Sequence, residues 1–396
     1  MSAFTESAFT KSVLAKYALT NCVLYTGDRQ LSDCALIIDG DRIAEVVARQ
    51  DLNPQIPAIN LQGSSVAPGF IDMQLNGCGG VMFNDAIASA TLDIMHQTNL
   101  NSGTTSYLPT LITTSDQDML AAIEVVKTYR QQHPHSILGL HLEGPYLNLK
   151  RKGIHNADYI RPPDRALLEK IAAAGREVVR LVTIAPELAT PEEIKLLVEQ
   201  GILVSAGHTD ASYEEAIAGF DAGVRMATHL FNAMSPWQGR KPGVVGAVLN
   251  RQEVYAGIIA DGQHVHYDSI RLAKKLKQDK LILVTDATPP VGTQMASFVI
   301  GGQEVFYRDG KCVSADGTLG GSALTMIEAI ANCVNYLDLP LAEALRMAST
   351  YPAKLLGLED ELGKIASGYV ANLAIFDRAF QIVGRVDRGQ YLAVES

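Results

Sequence analysis

Four polar side chains end apolar runs of this chain, and their types could together support hydrolysis. Glu143 lies in the segment HLEGPY, His208 in SAGHT and His229 in ATHLFNAM. Asp286 ends a fourth apolar run, in LVTDATPP. One glutamate and two histidines form a ligand set that holds zinc-like ions and leaves a position for water. A neighbouring aspartate could take a proton from that water and later give it to a leaving group.

Each of these residues also has an ordinary structural explanation when it is considered alone. A carboxylate such as Glu143 can pair with a lysine or arginine at the mouth of a barrel. A single histidine in a strand is usually a hydrogen-bonded core residue, and Asp286 could form a turn before the two prolines that follow it. Three ligand types at the ends of three strands nevertheless favour one shared metal site.

Three further segments could bind or activate a substrate beside such a metal. His264, in ADGQH, could donate a hydrogen bond from a neutral ring to a carbonyl oxygen, or be an exposed loop residue. Arg240 and Lys241, in GRKPG, could grip a phosphate, or form a solvated pair. Asn232 and Ala233 closely follow the histidine of THLFNAM and could hydrogen-bond a polar ligand.

Strand-like apolar runs alternate with helix-like segments over most of the chain. Several runs, such as ILVSAG and YAGIIA, are continuously apolar, which is typical of strands buried on both faces. Eight strand–helix units predict an α/β protein with a (β/α)8 barrel, whose C-terminal strand ends form the functional face. The four residues described first fall at or just after the ends of four runs. The eight runs are Val66–Asp72, Thr104–Ile112, Ile137–Glu143, Val179–Ala185, Ile202–Gly207, Arg225–Leu230, Val254–Ala260 and Leu281–Thr285.

The barrel is predicted to occupy residues 66–351, with a β-hairpin insertion near residues 296–317. Turn signals for that hairpin are Gly301-Gly302 and Asp309-Gly310. After the insertion, the last barrel helix is predicted over Ser322–Leu337, because its apolar residues recur on one face.

The two ends of the chain have a different pattern. Residues 17–65 and 352–396 contain short β-like runs, and neither part alone would make a stable sheet. We expect the two parts to form one small β-sandwich domain together. Residues 1–16 are a polar N-terminal extension that we expect to be flexible.

Composition excludes several classes of protein. The chain has 396 residues, and its net charge of −10 argues against a nucleic-acid partner. Its five cysteines have no Cys-x-x-Cys spacing, which argues against a thiolate metal site and is typical of the reducing cytosol. There is no apolar run of about 18 residues and no signal peptide, so we expect a cytoplasmic protein without a membrane partner.

One absence bears on the number of metal ions. Many hydrolytic barrels carry His-x-His at the end of the first strand, where this chain has Gln74, Leu75 and Asn76. Because glutamine and asparagine are poor ligands for zinc-like ions, a single-metal site is favoured.

Long strings of the sequence resemble one family. From about Tyr17 to the C-terminus, the chain contains PGFIDMQLNGCGG, LPTLITTS, HLEGPYLN, SAGHT, THLFNAM, GIIADGQH, LVTDAT and SGYVANLAIFD in that order. These strings are similar to those of the N-acetylglucosamine-6-phosphate deacetylase family, within the amidohydrolase superfamily. The resemblance implies a (β/α)8 barrel with a small β-sandwich made from both termini.

The resemblance also implies an activity. Members remove the acetyl group from N-acetyl-D-glucosamine 6-phosphate by attack of metal-activated water on the amide, in amino-sugar catabolism and cell-wall sugar recycling. One divalent metal per subunit is implied on Glu143, His208 and His229, with Asp286 as the acid and base. Zinc is the first expectation, and iron, manganese or cobalt would also suit these ligands.

Substrate contacts and assembly are likewise implied by the resemblance. Family members are usually homodimers, in which the arginine matching Arg240 reaches the sugar phosphate of the neighbouring subunit. The chain departs from the family at Gly320, where a serine is expected, and in its N-terminal extension. The implied substrate-binding positions are Ile154, Asn232, Ala233, Arg240, Asp261, Gly262, Gln263, His264, Leu319, Gly320 and Gly321.

Two other classes of function remain open. Another amidohydrolase, acting on a different amide or on an epimeric N-acetyl amino sugar phosphate, is the first. A dihydroorotase-like enzyme, however, is expected to carry His-x-His and often a bridging carboxylated lysine, and the fourth run, VVRLVTIAPE, has no lysine. The second class is a non-catalytic metal-binding barrel, which would tolerate loss of Asp286 or of the ligands.

Overall fold

The computed structural model describes residues 16–394. The predicted extension, residues 1–16, therefore lies outside the described part except for Lys16, which begins the first strand. The strands are β1 (Lys16–Thr20), β2 (Val23–Tyr25), β3 (Gln30–Leu31), β4 (Cys34–Asp39), β5 (Arg42–Ala48), β6 (Ala58–Asn60), β7 (Ser65–Pro68), β8 (Phe70–Leu75), β9 (Gly77–Cys78), β10 (Val81–Met82), β11 (Thr104–Ile112), β12 (Leu140–Glu143), β13 (Val179–Ile184), β14 (Leu203–Ala206), β15 (Met226–Ala227), β16 (Tyr255–Ile258), β17 (Leu281–Leu283), β18 (Ser297–Ile300), β19 (Gln303–Arg308), β20 (Lys311–Ser314), β21 (Leu373–Phe376), β22 (Ile382–Asp387) and β23 (Gln390–Ala393). The helices are α1 (Ser89–Leu100), α2 (Asp116–Arg130), α3 (Arg165–Ala174), α4 (Pro191–Val198), α5 (Tyr213–Ala222), α6 (Gly243–Asn250), α7 (Tyr267–Lys277), α8 (Met326–Leu337), α9 (Leu341–Ala348) and α10 (Thr350–Leu355).

Eight parallel strands form the barrel. They pair in the order β17-β16-β15-β14-β13-β12-β11-β8, and a parallel bridge between Leu75 and Ala287 joins the two ends of the sheet. Every residue of β11 and β13 is buried, as expected for strands with side chains packed on both faces. A helix follows each barrel strand, so the predicted (β/α)8 barrel is confirmed.

The first predicted run is wrong in one respect, because Val66–Asp72 is two strands and not one. β7 pairs with β2 and β21 of the terminal sheet, whereas β8 pairs with β11 of the barrel. Gly69 lies between them, where an added Cβ would come within 2.1 Å of the Thr105 hydroxyl oxygen. The chain passes from the terminal sheet to the barrel at Gly69. Any residue with a Cβ would collide with Thr105 at this position.

Two helix starts that the sequence predicted are confirmed. Ser212 and Glu215 form a capping box at α5, and Thr190 caps α4, which opens on Pro191. The predicted start of the last barrel helix at Ser322 is wrong, since α8 begins at Met326. The Ser322 side chain and backbone instead bond back to the carbonyls that follow β17, which holds this segment in a non-helical conformation.

The insertion after β17 has three strands where a two-stranded hairpin was predicted. β18, β19 and β20 pair antiparallel, and the two turns lie at the predicted Gly301-Gly302 and Asp309-Gly310. Since each turn reverses the chain once, two turns give three strands. This sheet packs its own apolar cluster, which includes Ile154 and Ile300, beside the mouth of the barrel.

The terminal parts of the chain form two further sheets, of which the first contains only N-terminal strands and the second contains strands from both termini. One has the order β5-β4-β1-β6, and the other has the order β23-β22-β21-β7-β2-β3. Leu19 and Leu36 of the first sheet share one apolar core with Leu24 and Ile375 of the second, which confirms the small β-sandwich. The exact domain limits stay a prediction. Within residues 16–394, every helix is too short or too polar to cross a lipid bilayer.

Candidate active site

Three potential metal-binding atoms meet at the C-terminal ends of the barrel strands. Glu143 is the last residue of β12, and His208 and His229 follow β14 and β15 by two residues each. Glu143 Oε1 lies 3.2 Å from His208 Nε2 and 3.1 Å from His229 Nε2. The two Nε2 atoms are 3.0 Å apart, and all three side chains are buried. The structure therefore brings the three predicted ligand residues together.

The geometry of these three atoms fits a metal ion. His208 Nδ1 lies 2.9 Å from the carbonyl oxygen of Arg151, which can only accept, so Nδ1 carries the hydrogen. In a neutral ring the Nε2 lone pair of His208 then faces a carboxylate oxygen of Glu143, and a cation bound between the two atoms would stabilise this arrangement. Ligands about a tetrahedral zinc are roughly 3.3–3.4 Å apart for bonds of about 2.0–2.1 Å, only slightly more than the separations found.

Loops around β12 and β14 fix the orientation of His208. Besides the ring contact to Arg151, the backbone N–H of Asn148 donates to the His208 carbonyl at 2.9 Å. Gly207 packs so closely on Thr183 and Thr228 that an added Cβ would lie 2.6 and 2.9 Å from their side-chain carbons. The glycine before His208 is thus required for close packing.

Glu143 is held as an anion by its neighbours. Burial raises the pKa of this carboxyl, but its interactions with His208 and His229 outweigh burial and hold the pKa well below its ordinary value. A carboxylate that stays ionised in a buried position is suited to binding a cation.

Asp286 lies beside this cluster and is suited to accepting a proton. Its Oδ1 accepts hydrogen bonds from Asn76 Nδ2 at 2.6 Å and from Gln74 Nε2 at 3.1 Å. Burial, followed by the negative charge of Glu143, raises the pKa of Asp286 to about 6, although His229 lowers it. A general base works best when its pKa lies near the working pH.

Gln74 and Asn76, which the sequence indicated only to be poor metal ligands, form hydrogen bonds to the carboxylates of the site. Gln74 Nε2 donates to both Glu143 Oε1 at 3.2 Å and Asp286 Oδ1 at 3.1 Å. These residues occupy the place of His-x-His, and their side-chain amides bind the two carboxylates. Their position at the end of β8 could have indicated a role in the site, since the other site residues also lie at the ends of barrel strands.

Three of the four candidate residues have left-handed backbone conformations. The φ angles are +48° at His208, +34° at His229 and +53° at Asp286. Such conformations cost roughly 1–3 kcal/mol each in a residue other than glycine and occur preferentially at functional sites. They are a structural indication of function that is independent of the ligand types.

His264 is oriented by the carboxylate of Asp261. The Nδ1 atom lies 2.6 Å from Asp261 Oδ2, and the backbone N–H of His264 donates to Asp261 Oδ1 at 2.8 Å. Because a carboxylate only accepts, Nδ1 carries a hydrogen. A hydrogen bond from Nε2 to a carbonyl oxygen would therefore need a second ring hydrogen, on Nε2, in addition to the one on Nδ1.

These residues surround a cavity of about 390 Å³, which is large enough for a small ligand. The structure does not place Arg240, Asp261, Gly262, Gln263 and Gly320 among the lining residues. The predicted residues that line the cavity are Glu143, Ile154, His208, His229, Asn232, Ala233, His264, Asp286, Leu319 and Gly321.

The cavity also contains polar residues that were not predicted as ligand contacts. Lys150 and Arg151 line it, and both pair with Asp210, at 3.4 and 2.9 Å. His155 lines it too, with its ring 4.3 Å from that of His208. All three residues belong to the basic segment KRKGIH, which could have indicated a ligand contact from the sequence.

Gly320, the departure from the family pattern, is close to the insertion. A Cβ at this position would lie 2.9 Å from Val305 of β19, and its N–H donates to the Cys312 carbonyl at 3.0 Å. A serine here would therefore need a shift of β19, and the Gly320 N–H is already used within the fold.

Comparisons with known proteins agree with the fold. The sequence pattern of the Amidohydrolase family matches residues 65–390, and that of the NagA composite domain matches residues 16–66. The first match covers most of the chain, so this protein belongs to the amidohydrolase family.

Two relatives and one solved structure are similar to this chain over most of its length. The N-acetylglucosamine-6-phosphate deacetylase of Haemophilus influenzae is 45% identical, over 95% of this chain and 99% of the relative. The N-acetylgalactosamine-6-phosphate deacetylase of a Shewanella strain is 37% identical, over 81% of each chain. The crystal structure of the N-acetylglucosamine-6-phosphate deacetylase of Pasteurella multocida superposes with a TM-score of 0.94, at 47% identity, over 96% of this chain and 100% of that one.

Proposed function

We propose that this protein is a hydrolase that removes the acetyl group from N-acetyl-D-glucosamine 6-phosphate, giving D-glucosamine 6-phosphate and acetate. The observation that carries the proposal is the meeting of Glu143, His208 and His229 beside Asp286 in one cavity. The Haemophilus relative named for this activity is 45% identical over nearly its full length. The reaction serves amino-sugar catabolism and the recycling of cell-wall sugars, and we place it in the cytoplasm.

Glu143, His208 and His229 would hold one divalent metal ion per subunit. Zinc suits one carboxylate and two imidazoles best, while iron, manganese and cobalt also accept this ligand set. Such an ion lowers the pKa of a bound water and polarises a carbonyl oxygen. The amides of Gln74 and Asn76 bind carboxylates instead of offering further ligands, which supports a single ion.

Asp286 acts as base and then as acid. Its carboxylate accepts a proton from the attacking water, for which a pKa of about 6 is suitable. After the tetrahedral intermediate forms at the amide carbon, Asp286 gives that proton to the departing amine, and acetate is left. Gln74 and Asn76 hold the carboxylate in place during both transfers.

His264 stabilises the negative charge that develops on the amide oxygen. With Nδ1 bonded to Asp261, the protonated ring donates from Nε2 to that oxygen. Ile154, Asn232, Ala233, Leu319 and Gly321 line the space available to the sugar, whereas Asp261, Gly262, Gln263 and Gly320 support the loops behind it.

Arg240 would bind the sugar phosphate of a neighbouring subunit in a homodimer. It is exposed and does not line the cavity of its own chain. The two basic residues that do line that cavity, Lys150 and Arg151, already pair with Asp210. A phosphate would therefore gain most from a guanidinium supplied from outside the subunit.

An epimeric substrate is the second candidate, because the Shewanella relative is named for the galactosamine compound. One experiment decides between the two. The metal-loaded protein is incubated with each N-acetyl amino sugar 6-phosphate, and free acetate is measured over time. Release of acetate at least about tenfold faster from the glucosamine compound supports the proposal, and the reverse ranking supports the epimer. Release from neither compound would contradict both.

A further inference from the structure

A second cavity lies at the opposite end of the barrel from the candidate active site. Its volume is about 310 Å³. Lining residues come from the starts of β13 and β14, from the residue before β15, from the end of α4 and from the segment that ends α10. This is the N-terminal face of the barrel, where residues ordinarily serve stability and not catalysis. The proposed deacetylation does not use it.

The charged side chains that line this cavity are all cationic. Arg176, Arg180, Arg225 and Lys354 line it, and among the described residues that line it none is acidic. The chain as a whole carries a net charge of −10, so the lining opposes the overall charge of the protein. The other lining residues are aliphatic or glycine.

The acidic residues near the cavity are too few to neutralise these cations. Glu177 is shared by three arginines, with distances of 3.4 Å to Arg130, 3.2 Å to Arg176 and 3.6 Å to Arg180. The Glu177 side chain is also 63% exposed, so water weakens each of these pairs.

The other two cations are no better matched. Lys354 lies 3.9 Å from Asp279, which is closer to Lys280 at 2.9 Å. Arg225 uses one nitrogen, Nη1, on the backbone carbonyls of Phe220 and Val224. Its acidic neighbour Glu253 pairs with Arg251 at 2.6 Å. The cavity therefore keeps an excess of positive charge that an anion would offset.

Arg180 gives this cavity a fixed, desolvated guanidinium. Its side chain is 3% exposed, and it donates to the carbonyls of Leu138 and Leu356 at 3.2 Å each. Burial, opposed by Glu177, lowers the pKa of Arg180 to about 10, so the group remains charged at neutral pH. A rigid buried cation loses little conformational entropy when it binds an anion.

The cavity walls leave room for such an anion. Gly201 has a φ of +72°, and a Cβ there would lie 2.8 Å from Arg176 Cδ. Gly201 therefore allows the Arg176 side chain to lie against the wall. Val198 and Ile202 offer an apolar surface beside the cations, which suits a ligand with a small carbon skeleton.

We propose that this cavity binds a phosphate group, either as a small phosphate monoester or as free phosphate, at a site separate from the active site. Arginine guanidinium groups bind phosphate oxygens in pairs, and Arg180, Arg176 and Arg225 supply three of them around one space. The volume accommodates a phosphorylated compound of a few carbon atoms.

Isothermal titration calorimetry on the full-length, metal-loaded protein tests the proposal. The probes are inorganic phosphate and glycerol 3-phosphate, with glycerol as the uncharged control. The titrations use the Arg240→Gln variant, because this substitution is expected to weaken phosphate binding at the active site. Binding of glycerol 3-phosphate identifies a monoester site, and binding of inorganic phosphate alone identifies a site for the free ion.

Substitutions in the cavity supply the decisive comparison. Lys354→Glu and Arg225→Gln should each weaken phosphate binding about tenfold or more, because each removes a charge-assisted contact. Lys275→Gln, an exposed lysine on α7, is the matched control and should bind as before. Lys354 is also exposed, so its variant should fold even if the Arg225 variant does not. Unchanged binding in Lys354→Glu, or no phosphate binding in the Arg240→Gln protein, would overturn the proposal.

Discussion

The side-chain amide nitrogen of Gln74 lies 3.1 Å from Asp286 Oδ1. The same nitrogen lies 3.2 Å from Glu143 Oε1, so one amide bridges the carboxylate beside the ligand cluster and the carboxylate within it. Asn76 adds a second donor to Asp286. The first barrel strand thus supplies hydrogen-bond donors to both carboxylates of the candidate site.

Replacing Gln74 with methionine should impair turnover more than folding. The two carboxylates would lose their shared donor, and Asp286 would lose one of the groups that stabilise its anionic form. We expect a decrease in kcat of about 10- to 100-fold, the usual effect of losing a partner that orients a metal-site residue. Gln131→Met, at an exposed position after α2, is the control. A Gln74 variant with unchanged kcat would show that the bridge has no catalytic role.

Replacing Asp286 with asparagine should remove the acid and base while keeping the shape of the site. The asparagine oxygen can still accept from Asn76 and Gln74, so metal content should not change. We expect kcat to fall by about 10²- to 10⁴-fold, the contribution typical of general acid–base catalysis. Steady-state rates and metal analysis of the same preparation check this. A variant that keeps most of its rate would refute the role.

Removing the metal should abolish activity without unfolding the protein. The barrel core is a large apolar cluster that does not depend on Glu143, His208 or His229. Dialysis against a chelator should leave the far-ultraviolet circular dichroism unchanged, lower the Tm, since a ligand bound only to the folded state stabilises it, and eliminate acetate release. Addition of one equivalent of zinc, manganese, cobalt or iron(II) should restore activity. Activity that needs two equivalents would contradict the single-ion proposal.

Arg240 should affect binding of the phosphate more than chemistry. For Arg240→Ala we expect KM to rise about 10-fold or more with a smaller change in kcat, because the contact is made before and during the reaction alike. Mixing inactive Asp286→Asn protein with Arg240→Ala protein tests the dimer. If Arg240 acts across the interface, mixed dimers contain one complete site and the KM of the mixture falls. A mixture that behaves as the sum of its parts would place Arg240 in its own site or outside both.

Asp72 should make stability depend on pH. This buried residue of β8 bonds to Thr285 after β17, and burial raises its pKa to about 7 although those hydrogen bonds lower it. Between pH 4 and 7 the folded state therefore holds a proton that the unfolded state has lost, so this group's contribution to stability falls as pH rises. The change is up to a few kcal/mol, at about 1.4 kcal/mol per pKa unit.

Asp72→Asn separates this effect from those of other carboxyl groups. The asparagine does not titrate, so the variant should gain stability relative to the original protein as pH rises from 4 to 7. Urea unfolding at several pH values measures the difference. Parallel curves for the two proteins would show that Asp72 does not titrate in this range.

The structure brings the predicted ligand residues Glu143, His208 and His229 together, because each lies at the end of a recognisable apolar run. Local signals such as the capping box of Ser212 and Glu215 also predicted helix starts correctly. The prediction of a single strand over Val66–Asp72 was wrong, because one continuous apolar run contains a change of sheet at Gly69. The helix start at Ser322 was also wrong, because hydrogen bonds from Ser322 to the carbonyls of Thr285 and Asp286 override a helical pattern.

By itself the sequence determined the order of strands and helices, and with it the end of the barrel to which Glu143, His208, His229 and Asp286 belong. That information is local, because periodicity and turn chemistry act over a few residues. Only the tertiary structure decided that Gln74 and Asp286, 212 residues apart, share a hydrogen bond, and that cations line the opposite face. Distances, left-handed backbone angles and shifted pKa values all depend on which distant groups become neighbours, and the closing of the barrel determines those neighbours.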